Sequence, residues 1–428
     1  MTYEEAVEYI LEIPRFTKKH SLKYTKEFMK SLGNPQKDAR IIHVAGTNGK
    51  GSVCAYLSSL IQAAGKSVGM FTSPHLVSIR ERFRINGRCI DSVTFLKAFE
   101  QVYSAAQERE EHPTFFEFLF LMSLCIFKQA DVDYWIMETG LGGRLDATNA
   151  VERPVLSVLT SVSLDHMEYL GHTVEAIAAE KAGIIKENIP VVYWSEDEKV
   201  RQVVHEKALQ CNSREFPVAK RNVKILQIAE KHIDFSLLCG YYCSIGFSIP
   251  VSAVYQAENA AIAVTAFSVL FEKQEVPAGI IQQGLSQMEW QGRMEEASAG
   301  IFLDGAHNEA GIKAFLESAE HICSKRRPGK VYLLCSIVQD KDREQMEHLL
   351  LEKRLFDRIY IADMKTDRSC HADSLAEEMR QRTDAEIYTF SGVKEAFCRA
   401  RADKKENELL FCAGSLYLIG EIKELLGQ

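Results

Sequence analysis

The sequence predicts a two-domain α/β protein whose main sheet is doubly wound and mostly parallel. Three observations predict it. The chain has 428 residues, more than the roughly 100–200 that one compact core usually spans. From Arg40 onward, short β-branched runs alternate with longer segments of helical period, the pattern that βαβ units produce. After Gly300 the same alternation starts afresh.

In the first series, the apolar β-rich runs predict strands at Ile41–Ala45, Ser67–Thr72, Asp133–Glu138, Val155–Ser161 and Pro190–Trp194. Helical spacing predicts Lys50–Ala64, Ser92–Arg109, Thr114–Gln129, Thr173–Lys181 and Glu196–Leu209 between or after them. Between Arg221 and Pro250 the period shortens to strand-like runs, Val223–Leu226 and His232–Leu237, which predict a small antiparallel addition. Helices resume at Tyr255–Phe271 and Ala278–Gln287. The second series predicts strands at Ile301–Asp304, Val331–Ser336, Arg358–Ala362, Ile387–Thr389 and Glu408–Cys412. Its helices are expected at Ala310–Ser324, Asp342–Lys353, Ser374–Arg382, Gly392–Ala402 and Tyr417–Leu426. The boundary falls near Glu295–Gly300, giving domains of residues 1–296 and 297–428.

With 46% hydrophobic and 26% charged residues, the chain has the apolar material for packed cores and none of the bias of a disordered sequence. A net charge of −8 argues against a nucleic-acid partner, because counterion-release binding needs a positive surface. No apolar run approaches the ~18 residues of a membrane span, and Met1–Glu5 is acidic and helical rather than a basic leader. The expectation is a cytoplasmic protein with no membrane partner. The eleven cysteines contain no CxxC pair, Cys239 and Cys243 coming closest, and read as reduced thiols.

The segment Gly46-Thr47-Asn48-Gly49-Lys50-Gly51-Ser52 lies between an apolar β-branched run and a good helix start. Strand, glycine-rich turn and helix together make a phosphate cradle: backbone N–H groups converge on phosphate oxygens, the helix dipole favours negative charge, and Lys50 can reach the terminal phosphates. The strict GxxxxGK[ST] pattern fails twice, with Val44 in place of the first glycine and Gly51 in place of the hydroxyl residue, so Ser52 comes one position late. A merely tight βα turn is the alternative. A second piece, Asp133–Glu138, is an apolar strand ending in a carboxylate, placed where open α/β sheets bind ligands or simply solvated there.

These motifs occur in a specific order: Leu32–Gln36, His43–Ser52, Thr72–Leu76, Thr114–Glu117, Glu138–Asn149, Leu164–His166, Glu180–Ile184, Glu258–Ala260, Gly292–Arg293, Leu303–Asn308 and Gly414–Tyr417. Across nearly the whole chain the sequence resembles the folylpolyglutamate synthase and dihydrofolate synthase family, within the Mur ligase superfamily. The resemblance implies a P-loop, Mur-ligase-like ATPase domain, a smaller Rossmann-like α/β domain that acts as the glutamate ligase domain, and a cleft between them. It implies an ATP-dependent ligase in which ATP phosphorylates a folate or pteroate carboxylate and L-glutamate attacks the acyl phosphate, releasing ADP and phosphate.

The same resemblance assigns residues. Asn48, Gly49, Lys50, Gly51, Ser52, Asn259, Arg293 and Asp304 are expected to hold ATP, arginine suiting phosphate through its planar fork. Ser73 and Glu138 would carry one Mg2+ and His166 a second. By chemistry alone His166 is a hydrogen-bonding loop residue. Lys181, otherwise a solvated helix lysine, is expected to be the N6-carboxylysine of related ligases and to act in catalysis with Lys50 and His307. His307 either faces the acyl acceptor or caps the following helix. Thr114, Phe116, Arg144, Asp146 and Ser415 are the expected substrate contacts, Glu117 is a further candidate, and Phe115, Phe118 and Phe120 are core on helical spacing. Gln291 and Glu309 depart from prolines common in the family, and neither removes a proposed ligand. A monomer is expected. The rivals are a Mur-type peptidoglycan ligase, for which the about forty residues before the loop leave too little chain for a UDP-binding domain, and a non-catalytic nucleotide-binding protein.

Overall fold

The computed structural model describes residues 1–14, 20–238, 245–272, 276–338, 343–365 and 370–428. Cys239, Cys243 and Asp342 lie outside them. The chain divides into two compact units, one of residues 1–224, 236–247 and 258–288, the other of residues 225–235, 248–257 and 289–428.

The first unit is built on eight strands: β1 (Arg40–Ala45), β2 (Val68–Phe71), β3 (Phe83–Ile85), β4 (Arg88–Cys89), β5 (Tyr134–Glu138), β6 (Leu156–Leu159), β7 (Val191–Trp194) and β8 (Glu215–Val218). Their order is β4-β3-β2-β5-β1-β6-β7-β8. The pairs β2–β5, β5–β1, β1–β6, β6–β7 and β7–β8 are parallel, while β2–β3 and β3–β4 are antiparallel. The central strands β1, β2, β5, β6 and β7 are buried almost throughout because helices cover both faces, which is why their sequences read as unbroken apolar runs rather than alternating ones. The helix Phe115–Ala130 is buried nearly all round for a related reason: it lies within a core that also takes in Ala6, Ile10, Phe28, Phe95, Phe99 and Val102.

A small antiparallel sheet follows, β9 (Val223–Ile228), β10 (Ile233–Leu237) and β11 (Gly246–Ile249), in the order β11-β10-β9. The second unit holds a six-stranded sheet of β12 (Glu295–Ser298), β13 (Ile301–Leu303), β14 (Val331–Cys335), β15 (Arg358–Ala362), β16 (Glu386–Phe390) and β17 (Leu409–Ala413). Its order is β12-β13-β17-β14-β15-β16, all parallel except β12–β13. Phe302 and Phe411 stack at 5.2 Å in its core, with Phe315 edge-on to Phe411 at 6.0 Å.

Several elements differ from the sequence expectation. The helical start read at Met1–Glu5 is the helix Tyr3–Glu12, while the helix Leu22–Ser31 and the strands β3, β4, β8 and β12 are additional. β12, Glu-Glu-Ala-Ser, has no apolar alternation; it is a strand because β13 pairs with it, through a register shift between Glu296 and Ser298. The strand expected at Val155–Ser161 ends at Leu159: the Thr160 N–H still bonds Ala45 O of β1, but the Thr160 hydroxyl and the Ser161 carbonyl bond the neighbouring loop. The helix expected from Glu196 starts at Glu198, since the Asp197 side chain caps it by accepting from the N–H groups of Lys199 and Val200.

Candidate active site

β1 delivers the glycine-rich loop and the helix Lys50–Ala63 follows it directly. Gly49 is the N-cap of that helix at φ 83° and, having no side chain, leaves the backbone of its first turn uncovered by a capping side chain. The bonds that tie the loop to the end of β6 include Thr47 N–H to Ser161 O at 2.7 Å, Thr160 Oγ1–H to Asn48 O at 2.7 Å, and Ser163 N–H to Thr47 Oγ1 at 3.1 Å. Two glycines are sterically required. A Cβ on Gly46 would lie 1.8 Å from Thr160 Oγ1, and one on Gly49 would lie 2.3 Å from Asn259 Oδ1. The second contact brings Asn259 to the loop and is the first structural link between those two expected nucleotide residues.

Two lysines converge on the same carbonyl. Lys50 Nζ donates to Gly46 O at 3.1 Å and to Thr47 O at 2.9 Å, and Lys181 Nζ donates to Gly46 O at 2.8 Å. Lys181 is 4% exposed, which removes the solvated-helix alternative. Burial, with the nearby Lys50 charge, lowers its amine to a pKa of about 7, against a smaller opposing pull from Asp165 and Asp146.

β5 brings Glu138 alongside Val44 of β1. Glu138 is 3% exposed, and its Oε2 accepts the Ser73 N–H at 2.8 Å. The buried Cys54 thiol, in the helix that starts at Lys50, feels both charges: Glu138 pushes its pKa up and Lys50 pulls it down, beneath the larger effect of burial. The carboxylate therefore lies within electrostatic reach of the phosphate loop. The segment carrying Ser73 is held by Glu81, whose carboxylate accepts the N–H groups of Leu76, Val77 and Ser78 at 2.6–2.9 Å. Buried Arg82 donates its Nε–H to His75 Nδ1 at 2.8 Å.

After Glu138 the chain forms a second glycine-rich loop. Phe116 covers it, since a Cβ on Gly140 would meet the Phe116 ring at 2.7 Å. Arg144 donates Nε–H and Nη2–H to Glu180 Oε1 at 3.0 and 2.7 Å and remains 57% exposed. Asp146 is buried and already accepts four donors: the N–H groups of Gly140, Leu141 and Thr148, each at 3.0 Å, and the Thr148 hydroxyl at 2.6 Å. Thr114 starts the Phe115–Ala130 helix, where Glu117 accepts the Thr114 N–H at 2.8 Å and bonds His20 Nδ1 at 2.8 Å. His166 sits at φ 49° before a four-residue helix, 47% exposed, with Nε2 3.7 Å from Asp165 Oδ1.

In the second unit Asp304 follows β13 directly and is buried, which raises its pKa against the pull of Arg293. Its carboxylate accepts Tyr255 Oη–H at 2.7 Å, Met294 N–H at 2.9 Å and Ala306 N–H at 2.8 Å. Arg293 packs on Gly305, where a Cβ would meet its Nη1 at 2.3 Å. His307 bonds Gly305 O through Nδ1 at 2.8 Å, and it is Asn308, not His307, whose side chain caps the helix Glu309–Arg326. Buried Ser415 caps the helix Leu416–Leu425, next to Gly414, whose N–H donates to Ala306 O at 2.9 Å.

The sequence matches the Mur ligase middle domain over residues 44–267 and the Mur ligase glutamate ligase domain over 288–416. A dihydrofolate synthase/folylpolyglutamate synthase of Bacillus subtilis is 33% identical, with 99% of each chain covered. The chain belongs to the folylpolyglutamate and dihydrofolate synthase family of Mur ligases. Members of that family are ligases that form carbon–nitrogen bonds. A folylpolyglutamate synthase of Lacticaseibacillus casei is 31% identical over the whole of this chain and 99% of its own. Among solved structures, a Mycobacterium tuberculosis folylpolyglutamate synthase complexed with ADP superposes with a TM-score of 0.89 at 26% identity, covering all of this chain and 98% of that one. E. coli FolC in complex with DHPP and ADP gives 0.86 at 28%, with the same coverage.

Among the described residues no helix is long and apolar enough to cross a membrane, and no group of three or more His, Cys, Asp or Glu side chains gathers as a metal cage. A magnesium ion at a nucleotide site needs no such cage, since it keeps several waters and takes one or two carboxylates plus substrate phosphates. Glu138 with Ser73, beside the phosphate loop, fits that donor pattern. Sequence reasoning missed four site residues, Thr160, Ser161, Thr148 and Tyr255. Only Thr148 lay inside a recognised motif; nothing in the others' sequence neighbourhoods marks their partners.

Proposed function

We propose that this chain is an ATP-dependent amide ligase adding L-glutamate to the carboxylate of a folate or dihydropteroate. The carboxylate oxygen attacks the γ-phosphorus of ATP, the β–γ bridging bond breaks, and ADP leaves. The glutamate amine, having lost a proton, then attacks the acyl carbon, the carbon–oxygen bond to phosphate breaks, and inorganic phosphate leaves. The observation that carries this reading is the convergence of Lys50 and Lys181 on Gly46 O, beside the Glu138–Ser73 pair, in a chain of this family.

Catalysis here is positioning and charge neutralisation. Lys50 leaves its loop carbonyls to clamp the terminal phosphates, and Asn48, Gly49, Gly51 and Ser52 line them. Asn259 holds the adenine, Arg293 the phosphates and Asp304 the ribose side. Ser73 and Glu138 would hold one Mg2+ and His166 would support a second; magnesium bound there would neutralise charge on the phosphates. An amine with a pKa of about 7 is substantially uncharged near neutrality, and an uncharged amine is the form that adds carbon dioxide to become a carbamate. Lys181 as N6-carboxylysine would present an anion toward the metal instead of a repelling cation. Thr114, Phe116, Arg144 and Ser415 contact the substrates, Asp146 shapes the loop that carries Arg144, and His307 faces the acyl acceptor. We place a monomer in the cytoplasm, which suits exposed free thiols such as Cys89 and Cys398.

ADP release with dihydropteroate or tetrahydrofolate plus glutamate tests the reading. Release that depends on both the acceptor and glutamate is expected, and ADP release indifferent to either would overturn it. Intact-peptide mass spectra of active enzyme prepared in bicarbonate should show carboxylated Lys181, and a bare amine there would remove that part.

A further inference from the structure

Below the second glycine-rich loop lies a buried polar chain that no ligand-binding role accounts for. His43, on β1 three residues before Gly46, is fully buried, and its Nε2 lies 2.8 Å from Thr148 Oγ1. Thr148 is fully buried as well, and its hydroxyl donates to Asp146 Oδ1 at 2.6 Å. Asp146 Oδ2 in turn accepts the N–H groups of Gly140 and Leu141, the residues that begin the loop after Glu138.

The donor order follows from the chemistry of each group. A carboxylate only accepts, so the one Thr148 hydroxyl proton is committed to Asp146. Thr148 Oγ1 must then accept from His43, which fixes the imidazole as the Nε2–H tautomer and leaves Nδ1 a bare acceptor. Nδ1 is buried and has no hydrogen-bond partner, as that tautomer allows. Burial, reinforced by the Lys186 charge, lowers the His43 pKa to about 3, so the ring is neutral near pH 7. Donation therefore converges on Asp146, from the phosphate-loop strand through His43 and Thr148 on one side and from the Gly140 and Leu141 N–H groups on the other.

We propose that His43 and Thr148 are positioning residues for the acyl-acceptor side of the site, holding Asp146 so that the Gly140–Arg144 backbone is set relative to Glu138. This rests on the ligase reading above. Neither side chain touches substrate. Their loss shifts the acceptor loop while the nucleotide loop keeps its own ties to Thr160, Ser161 and Ser163.

The test compares Thr148→Val, Thr148→Ser and His43→Phe with the full-length wild type in the same ADP-release assay. Thr148→Val keeps volume and removes both bonds; Thr148→Ser keeps them. The expected result is a KM for the folate or pteroate acceptor raised on the order of tenfold in Thr148→Val and His43→Phe, with KM for ATP changed less than about twofold and Thr148→Ser close to wild type. Equal rises in both KM values, or a Thr148→Ser variant as impaired as Thr148→Val, would overturn the proposal. So would a lowered melting temperature with both KM values unchanged. Nitrogen NMR of the wild-type ring supplies a readout that needs no variant: a protonated Nε2 and bare Nδ1 are expected, and a protonated Nδ1 overturns the relay. A wild type without acceptor-dependent ADP release refutes the ligase reading instead, while the ring tautomer still tests the relay.

Discussion

Lys50 and Lys181 donate to one and the same oxygen, the Gly46 carbonyl, at 3.1 and 2.8 Å. Two ammonium groups sharing an acceptor, one of them buried, repel each other, and burial together with that repulsion lowers the Lys181 pKa to about 7.

A stability prediction follows for bicarbonate-free enzyme. An unfolded lysine titrates near ~10.4, so between about pH 7 and that value the unfolded chain binds more protons than the folded one. Stability should rise with pH across this window and lose that slope below it, where both states are protonated. Lys186, whose pKa burial lowers to about 8, adds a slope of the same sign over a narrower window that starts near pH 8. Urea midpoints measured from pH 7 to 10 should climb less steeply in Lys181→Met than in wild type. Identical slopes would mean that Lys181 is not a depressed amine.

Gly49→Ala should disable the nucleotide site. At φ 83° an alanine is strained, and its Cβ would sit 2.3 Å from Asn259 Oδ1. The left-handed conformation alone costs about 1–3 kcal/mol, and displacing Asn259 adds a loss of ATP affinity. KM for ATP should rise strongly while KM for the acceptor moves little. An unchanged KM for ATP would mean that neither Asn259 nor the loop conformation matters to nucleotide binding.

How much of this was legible in the sequence depends on which force builds each part. The central strands, the Phe115–Ala130 helix and the phosphate loop follow from burial and local turn chemistry, which leave periodic or glycine marks along the chain. β12 exists only because β13 pairs with it, and that partnership has no local trace. The candidate residues were found through motifs, yet what each side chain touches was not. Asp146 reads from its motif as a substrate contact; folding buries it and gives it four donors within the chain. Lys181 looked like a surface lysine in a small-residue helix, and its burial arises from its approach to the phosphate loop.

Glu138→Gln separates charge from structure. The Ser73 N–H can still donate to a side-chain oxygen, so stability should change by less than about 1 kcal/mol. The charge that attracts magnesium is gone, and kcat should fall on the order of 10²–10³, with the Mg2+ needed for half-maximal rate shifted upward. Activity at the wild-type level with an unchanged Mg2+ titration would take Glu138 out of the metal site.

Tyr255→Phe removes one of the three donors that hold the buried Asp304 carboxylate. An underpaired buried acceptor costs about 1–3 kcal/mol, so the urea midpoint should fall accordingly and KM for ATP should rise with it. A variant as stable as wild type would show that the hydroxyl contributes nothing to holding Asp304.

His307 and Asn308 are neighbours with separable work. Asn308 accepts the Gly311 N–H at 2.8 Å and caps the helix Glu309–Arg326, whereas the His307 ring is bonded to Gly305 O through Nδ1 and leaves Nε2 to face outward from that bond. Asn308→Ala should therefore cost about 1 kcal/mol of stability through the lost cap, read as a lower urea midpoint. His307→Ala removes no cap and should leave the midpoint nearly in place. Its effect belongs in the kinetics: with ATP and acceptor saturating, kcat/KM for glutamate should fall at least tenfold, the scale of a lost positioned polar group. If His307→Ala lowers stability and spares glutamate kinetics, the histidine is a structural residue of the turn and the acceptor role passes to another side chain.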